Sequence, residues 1–335
     1  MVTRQQMLAT AITCWLATVA AFALHLENPW WAAISAWIIG TTDRSALLQK
    51  GILRIFGTIL GCIIGLQLTG FLVGEAVGQI LVLFLLGFVV NYMKSVGAFG
   101  YAWVVGSVAT LLLVSASITS TTQLIDVAFY RAAEISCGVL SVFVTDLFLS
   151  LRTGAKTASK SSGKAAQTIS QEDRILISLA AGISAVGIPV LWLALNLPEL
   201  TQSLVTALMT LDRDFTHTRL RGSLRLLGCV AGGALGLLFA SLGTNSFVWW
   251  SVALTFGLAL FAGLHLSDSP WAYLGTQGGI AYIMSLVTGS GPPDSLAPVT
   301  NRLGGMMLGV LVTFGVLLTL QLCRSALSRK VSRTS

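Results

Sequence analysis

The sequence predicts an all-α integral membrane protein of about twelve transmembrane helices, arranged as two parallel six-helix repeats with short second and eighth spans. Three observations carry that expectation. Hydrophobic residues make up 55% of the 335 positions and charged residues 10%, with a mean hydropathy of +0.83, against soluble averages of about 45–50% and about 25%. The apolar runs are continuous and lack the period-two alternation of outer-membrane strands, so each can satisfy its backbone only as a helix. A glycine ladder carrying one arginine occurs twice, as Arg54-x-x-Gly57-x-x-x-Gly61-x-x-x-Gly65 and Arg225-x-x-Gly228-x-x-x-Gly232-x-x-x-Gly236.

A hydrocarbon core of about 30 Å takes about 20 apolar residues per helix. The first span, 7–26, follows Arg4. Its Ala21-Phe22-Ala23 resembles a signal cleavage site, but the next apolar run begins straight after Glu27 and Asn28, which argues for a retained helix. The second span, 29–42, opens with Pro29, a residue suited to a first helical turn. It has only 14 residues, about 21 Å of helix. The third, 51–73, carries the first ladder; the fourth and fifth are 76–92 and 98–118; the sixth, 127–151, holds Arg131, Glu134 and Asp146. Residues 152–174 are rich in Lys, Ser, Ala and Thr and read as a basic cytoplasmic linker. The order then repeats over 175–196, 198–211, 220–242, 246–264, 269–289 and 299–323, again with a 14-residue second member, opening at Pro198. The expected organisation is a first repeat over 1–151, the linker 152–174, a second repeat over 175–323 and a basic cytoplasmic tail over 324–335.

Arg54/Arg225, Gly57/Gly228, Gly61/Gly232, Gly65/Gly236, Arg131/Arg302 and Gly138/Gly309 share a separation of 171, whereas Pro29/Pro198 and Asp43/Asp212 are 169 apart. One two-residue insertion in the turn after the short span reconciles the two values. An even number of spans per half gives both halves the same orientation, related by an axis near the membrane normal.

The formal net charge is +7, and its placement excludes a nucleic-acid reading. With the N-terminus cytoplasmic, sixteen of the 20 basic residues, Lys94 and Arg221 among them, fall on the inside and none in the outside loops. The other four, Arg54, Arg131, Arg225 and Arg302, lie within spans. Both termini are then cytoplasmic. Cys14, Cys62, Cys137, Cys229 and Cys323 sit in apolar segments without CxxC spacing and read as small buried hydrophobes. No nucleophile elbow, phosphate loop or HExxH motif occurs, so the expectation is a non-enzyme with no metal and no cofactor.

An ionised arginine at the centre of a membrane helix costs about 2.5–3.5 kcal/mol on insertion scales, so a duplicated one points to function. Arg54 and Arg225, one turn inside the cytoplasmic end, suit capture of a carboxylate; snorkelling to the phosphate layer is the bland reading. Arg131 and Arg302, near the outer end, suit release, with a local Arg131–Glu134 salt bridge as the alternative for Arg131. Trp30 and Trp31 read either as an interfacial belt or as a stacking surface for an aromatic substrate. Gln202, Thr206, Thr276 and Gln277 suit the lining of a cavity or interhelical hydrogen bonds. Glu134, and after it Asp146, are the candidates for proton coupling, since a buried carboxyl can titrate near neutrality. His25, His217 and His265 fall at loop edges or in the basic turn and carry no assigned role. The ladder glycines Gly57, Gly61, Gly65, Gly228, Gly232 and Gly236 are expected to pack helices closely.

Pro29-Trp30-Trp31-Ala32 opening a short span, a charged turn, Arg54-x-x-Gly57-x-x-x-Gly61, and Arg131-x-x-Glu134-x-x-x-Gly138 in the sixth span together resemble the fusaric acid resistance and aromatic acid exporter superfamily. The resemblance covers roughly 7–151 and 175–323. It implies a bacterial inner-membrane exporter of small organic anions, aromatic carboxylic acids first among them, and leaves room for a periplasmic adaptor subunit and for homo-oligomers. Larger members carry cytoplasmic domains after each membrane half, and the resemblance is expected to be to a compact form with the 152–174 linker and the short tail in those places. The second half also lacks the tryptophans, and Gly305 stands where the first half has Glu134. The expected function is secondary active export. A passive organic-anion channel and a non-transporting membrane subunit are the alternatives.

Overall fold

The computed structural model describes residues 2–40, 44–72, 74–96, 99–119, 123–153, 170–197, 199–212, 215–242, 246–289 and 297–334. Over these the chain forms α-helices and no β-strand. The first six are α1 (Arg4–Ala23), α2 (Trp30–Ile39), α3 (Arg44–Phe71), α4 (Ala76–Val96), α5 (Gly100–Thr119) and α6 (Leu124–Thr153). The second six are α7 (Gln171–Leu195), α8 (Leu200–Thr210), α9 (Phe215–Ser241), α10 (Phe247–His265), α11 (Ala272–Leu286) and α12 (Ala297–Thr334). Nine of the described helices are long and apolar enough to cross a membrane. Phe71, Val77, Ile125, Phe129 and Val248 point outward, as they can where the surroundings are hydrocarbon.

Local chemistry sets several ends. Thr3 and Gln6 form a reciprocal capping box on α1, with Thr3 Oγ1 accepting from Gln6 N at 3.2 Å and Gln6 Oε1 accepting from Thr3 N at 2.9 Å. Ser170 caps α7 by accepting from Asp173 N at 3.1 Å. Arg324 on α12 then reaches Glu172 at 2.6 Å and Asp173 at 2.7 Å, tying the far end of the second half to the start of α7.

Several boundaries differ from the sequence expectation. Helices α3 and α9 start at Arg44 and Phe215 rather than near 51 and 220; in α3 the added residues Ala46, Leu47, Leu48, Gln49 and Lys50 extend a helix readily. Residues 152–153 close α6 and 171–174 open α7, so both ends of the expected linker are helical; 154–169 lie outside the described residues, as do Pro198, Asp43 and Arg213. The stretch 324–334 continues α12 instead of forming a separate tail. Helix α11 has 15 residues, fewer than 269–289. Ser267 and Ser269 hydroxyls accept from the backbone N–H groups of Ser269 and Trp271, holding a turn ahead of it. The short second and eighth helices are as expected, 10 and 11 residues, or about 15–17 Å each.

The ladders pack helices. A Cβ on Gly61 would run into the Gly106 backbone, and one on Gly57 would sit 3.0 Å from Ala102 O, so α3 lies directly on α5. In the second half Gly228 faces Leu274 O and Gly232 faces the Gly278 backbone, bringing α9 onto α11 in the same way.

The packing scheme is duplicated throughout. Helices α2 on α6, α1 on α2 and α4 on α5 have the counterparts α8 on α12, α7 on α8 and α10 on α11. The halves join reciprocally: α4 packs on α7 as α10 packs on α1, and α5 meets α8 as α11 meets α2. One core cluster therefore joins α1 and α2 to α10 and α11 around Trp37, Trp250 and Tyr282. A second joins α7 and α8 to α4 and α5 around Leu83, Leu111, Ile188 and Leu204.

These contacts correct the expected insertion. Gly138 abuts Ala32 and Ser35, and Gly309 abuts Ser203 and Thr206, so the separation of 171 already holds between α2 and α8. It also holds for the starts of α3 and α9, at Arg44 and Phe215. The turn after the short helix contains no insertion, and the 169-residue offset is not the register of the described helices. By this register Trp30 and Trp31 correspond to Thr201 and Gln202.

Candidate functional site

Each ladder arginine is buried beneath a short helix and held by neutral oxygens. Arg54 donates from Nε to Ser35 Oγ at 3.1 Å and from Nη1 to Tyr101 Oη at 3.0 Å. Arg225 donates from Nη2 to Thr206 Oγ1 at 3.1 Å and from Nη1 to Tyr273 Oη at 3.4 Å, while its Nε has no hydrogen-bond partner. Both residues are 6% exposed. Among the described residues neither forms an ion pair with a carboxylate. Snorkelling is thereby set aside: these guanidinium groups point into the protein.

They point into a cavity of about 480 Å³ between the two halves, within the roughly 300–1,000 Å³ usual for small-molecule sites. Its basic lining is Arg54, Lys94, Arg131, Arg221 and Arg225, and no Asp or Glu is among the described lining residues. Aliphatic side chains such as Ile34, Val105 and Ile280 and the rings of Trp31, Tyr101 and Tyr273 supply the apolar surface. Arg131 and Arg221 are paired with Glu134 and Asp212, so the buried charges of Arg54 and Arg225, without a carboxylate partner among the described residues, are what make the cavity attractive to an anion. Gln202, Thr276 and Gln277 line it as well, and Gln277 Oε1 is buried without a partner.

The remaining residues singled out in the sequence take different places. Arg131 lies over the Trp31 ring at 3.7 Å and 3.8 Å from Glu134, so the local salt bridge forms and the guanidinium still lines the cavity. Arg302 lies over Trp30 at 4.2 Å and donates to Met284 O at 3.1 Å; neither Arg302 nor Trp30 lines the cavity. The expected partner of Arg302 is thus a carbonyl and a ring. Both tryptophans support a guanidinium from within the protein. Thr206 stands behind the cavity wall, orienting Arg225. Glu134 is 1% exposed and accepts from Asn28 N at 2.7 Å. It sits beside the lining, one turn along α6 from Arg131, whereas Asp146 is on the same helix away from the cavity.

Four charged or aromatic lining residues were not singled out from the sequence. Lys94 donates to Leu211 O at 2.7 Å, at the C-terminal end of α8. Arg221 pairs with Asp212 at 3.0 Å and lies over Tyr273 at 4.7 Å. In the sequence Lys94 and Arg221 read as cytoplasmic charges and Tyr101 and Tyr273 belong to no motif; the tyrosines are 172 apart, one more than the ladder, and only the contacts of α5 and α11, where Ala102/Leu274 and Gly106/Gly278 share that offset, mark them as a pair. His265, read as a loop-edge residue, is packed inside. Its ring is within 2.9 Å of Trp37 O and 2.8 Å of Thr276 Oγ1 and stacks on Trp37 at 4.5 Å, joining the two halves. Of the five cysteines, Cys14, Cys62, Cys137 and Cys229 are buried as expected and Cys323 is exposed. No group of three or more metal-ligating side chains occurs among the described residues.

Residues 4–172 match the fusaric acid resistance protein family, and residues 184–316 match a second family described as fusaric acid resistance protein-like. The chain belongs to the fusaric acid resistance protein family. Curated relatives include proteins named p-hydroxybenzoic acid efflux pump subunit AaeB, from Enterobacter cloacae subsp. cloacae, Shigella boydii serotype 4 and Escherichia coli O1:K1 / APEC. Each is 29% identical over 157 residues, covering 44% of this chain. The chain spans 24% of the length of these relatives. No solved structure matches it.

Proposed function

We propose that this member of the family exports small aromatic carboxylates from the cytoplasm across a bacterial inner membrane by secondary active transport. The observation that carries the reading is the cavity between the halves, with five basic side chains, aromatic walls and no carboxylate in its described lining. An aromatic carboxylate matches both parts, its ring facing the apolar surface and its charge facing the guanidinium groups. The relatives named as p-hydroxybenzoic acid efflux pump subunits support the substrate class. Their being subunits also favours a further partner chain. The two short helices support transport, since helix ends at membrane depth accompany substrate sites in transporters with repeated halves. The basic residues in cytoplasmic segments favour cytoplasmic termini.

In this account Arg54 and Arg225 take the carboxylate, Trp31 and the Arg131 it supports extend the path, and Glu134 is the candidate for coupling to protons. A growth screen tests it. Cells lacking the protein should become more sensitive to weak aromatic acids and regain resistance when it is restored. Unaltered sensitivity to every such acid, with expression confirmed in the parent, overturns the proposal. In vesicles, uphill movement driven by a pH gradient marks an exporter, and voltage-dependent anion current without uphill movement marks a channel.

A further inference from the structure

We infer that Tyr101 and Tyr273 are carboxylate-binding residues, each forming with its arginine one of two corresponding clamps that face the same cavity. The inference rests on the organic-anion reading above and names residues and a stoichiometry that reading does not contain.

The argument begins with hydrogen-bond accounting. A phenol has one O–H to donate and lone pairs to accept with. Tyr101 Oη accepts from Arg54 and Tyr273 Oη accepts from Arg225. An oxygen that accepts from a guanidinium must turn its own hydrogen elsewhere. Among the described residues neither phenol donates to any acceptor, and both rings line the cavity. By contrast Tyr282, which lies outside that lining, donates to Ala253 O at 2.6 Å. Two oriented O–H donors therefore remain unspent beside two arginines that have no carboxylate partner.

A carboxylate accepts through two oxygens, and one N–H plus one O–H side by side match them. The arginine polarises the phenol by donating to it, which strengthens the phenol as a donor in turn. Ser35 and Thr206 fix the arginines from behind, at the same separation of 171 as the arginines themselves. The site is thus built twice. The copies are unequal, because a second guanidinium, that of Arg221, itself paired with Asp212, lies over the Tyr273 ring. The Tyr273 clamp should be the tighter of the two.

The test uses the purified full chain in nanodiscs with benzoate and 4-hydroxybenzoate as probes and benzamide as the uncharged control. Wild type should bind two carboxylates per chain and benzamide weakly or not at all. Tyr101→Phe and Tyr273→Phe keep the rings and remove only the donors. Each should weaken one of the two sites by roughly tenfold or more, as for loss of a hydrogen bond to a charged group, with Tyr273→Phe affecting the tighter site. Unchanged binding in both variants, with wild-type binding intact, overturns the clamps and leaves the organic-anion reading standing. Absence of carboxylate binding by wild type overturns both. Should a variant fold poorly, carbon-13 labelling of tyrosine in the wild-type chain gives a second measurement. Benzoate should shift two Cζ resonances, and a spectrum without such shifts at saturating benzoate overturns the clamps.

Discussion

Replacing Arg225 by methionine separates a ligand-binding arginine from a structural one. The change keeps a long side chain of similar reach and removes the charge. In a buried ion pair, loss of one partner strands the other charge and costs about 3–5 kcal/mol. Arg225 has no such partner among the described residues; it donates only to the hydroxyls of Thr206 and Tyr273. Two hydrogen bonds from a charged donor, at about 1.5–3 kcal/mol each, would be lost. Against that stands release from burying an unpaired charge, a penalty of several kcal/mol. The two effects are of similar size, so Arg225→Met should melt close to the wild-type temperature. Carboxylate affinity should fall by about 10–150-fold, the equivalent of about 1.5–3 kcal/mol for a bond to a charged group. Differential scanning fluorimetry in nanodiscs and equilibrium binding of radiolabelled 4-hydroxybenzoate measure the two quantities. A marked fall in melting temperature with affinity unchanged would refute the reasoning and assign Arg225 to the scaffold.

Other consequences are open to direct measurement. Gly61→Leu drives a side chain into the Gly106 backbone and should cost at least about 1–3 kcal/mol; Gly70→Ala on the same helix meets nothing within 4 Å and should stabilise by about 0.5–1 kcal/mol, both read by thermal melting. Glu134→Gln should abolish accumulation driven by a pH gradient while exchange of substrate across the membrane persists; retained uphill transport removes Glu134 from coupling. A membrane-impermeant maleimide should label Cys323, which is exposed, in inside-out vesicles and not in intact spheroplasts, while Cys14 and Cys229 stay unlabelled until the protein unfolds. Labelling from the opposite side reverses the assigned orientation.

Helical class, element order, short second and eighth helices and the close-packing glycines were legible in the sequence because each depends on local composition or a fixed spacing. Arg54 and Arg225 were legible for the same reason: a charge inside an apolar run stands out. The residues that complete the cavity were not. Lys94 and Arg221 lie near helix ends, where a basic residue ordinarily serves orientation, and only the packing of α4 and α9 turns them inward. Tyr101 and Tyr273 belong to helices whose composition explains them without a site. His265 looks like a terminal polar residue until α10 is placed beside α2 of the other half, where its ring bridges Trp37 and Thr276. The register of the repeat likewise answers to packing and not to matched residue types. Matching prolines and aspartates suggested a 169-residue offset, whereas helix contacts, which answer to packing at Gly138 and Gly309, keep 171.

The most direct test of the central claim is uptake of radiolabelled 4-hydroxybenzoate into inside-out proteoliposomes carrying the purified chain and an imposed pH gradient. Accumulation above the outside concentration, abolished by collapse of the gradient and sharply reduced in the Arg54→Met Arg225→Met double variant, is the predicted result. Equal uptake by vesicles with the wild-type chain, the double variant and no protein would contradict the account.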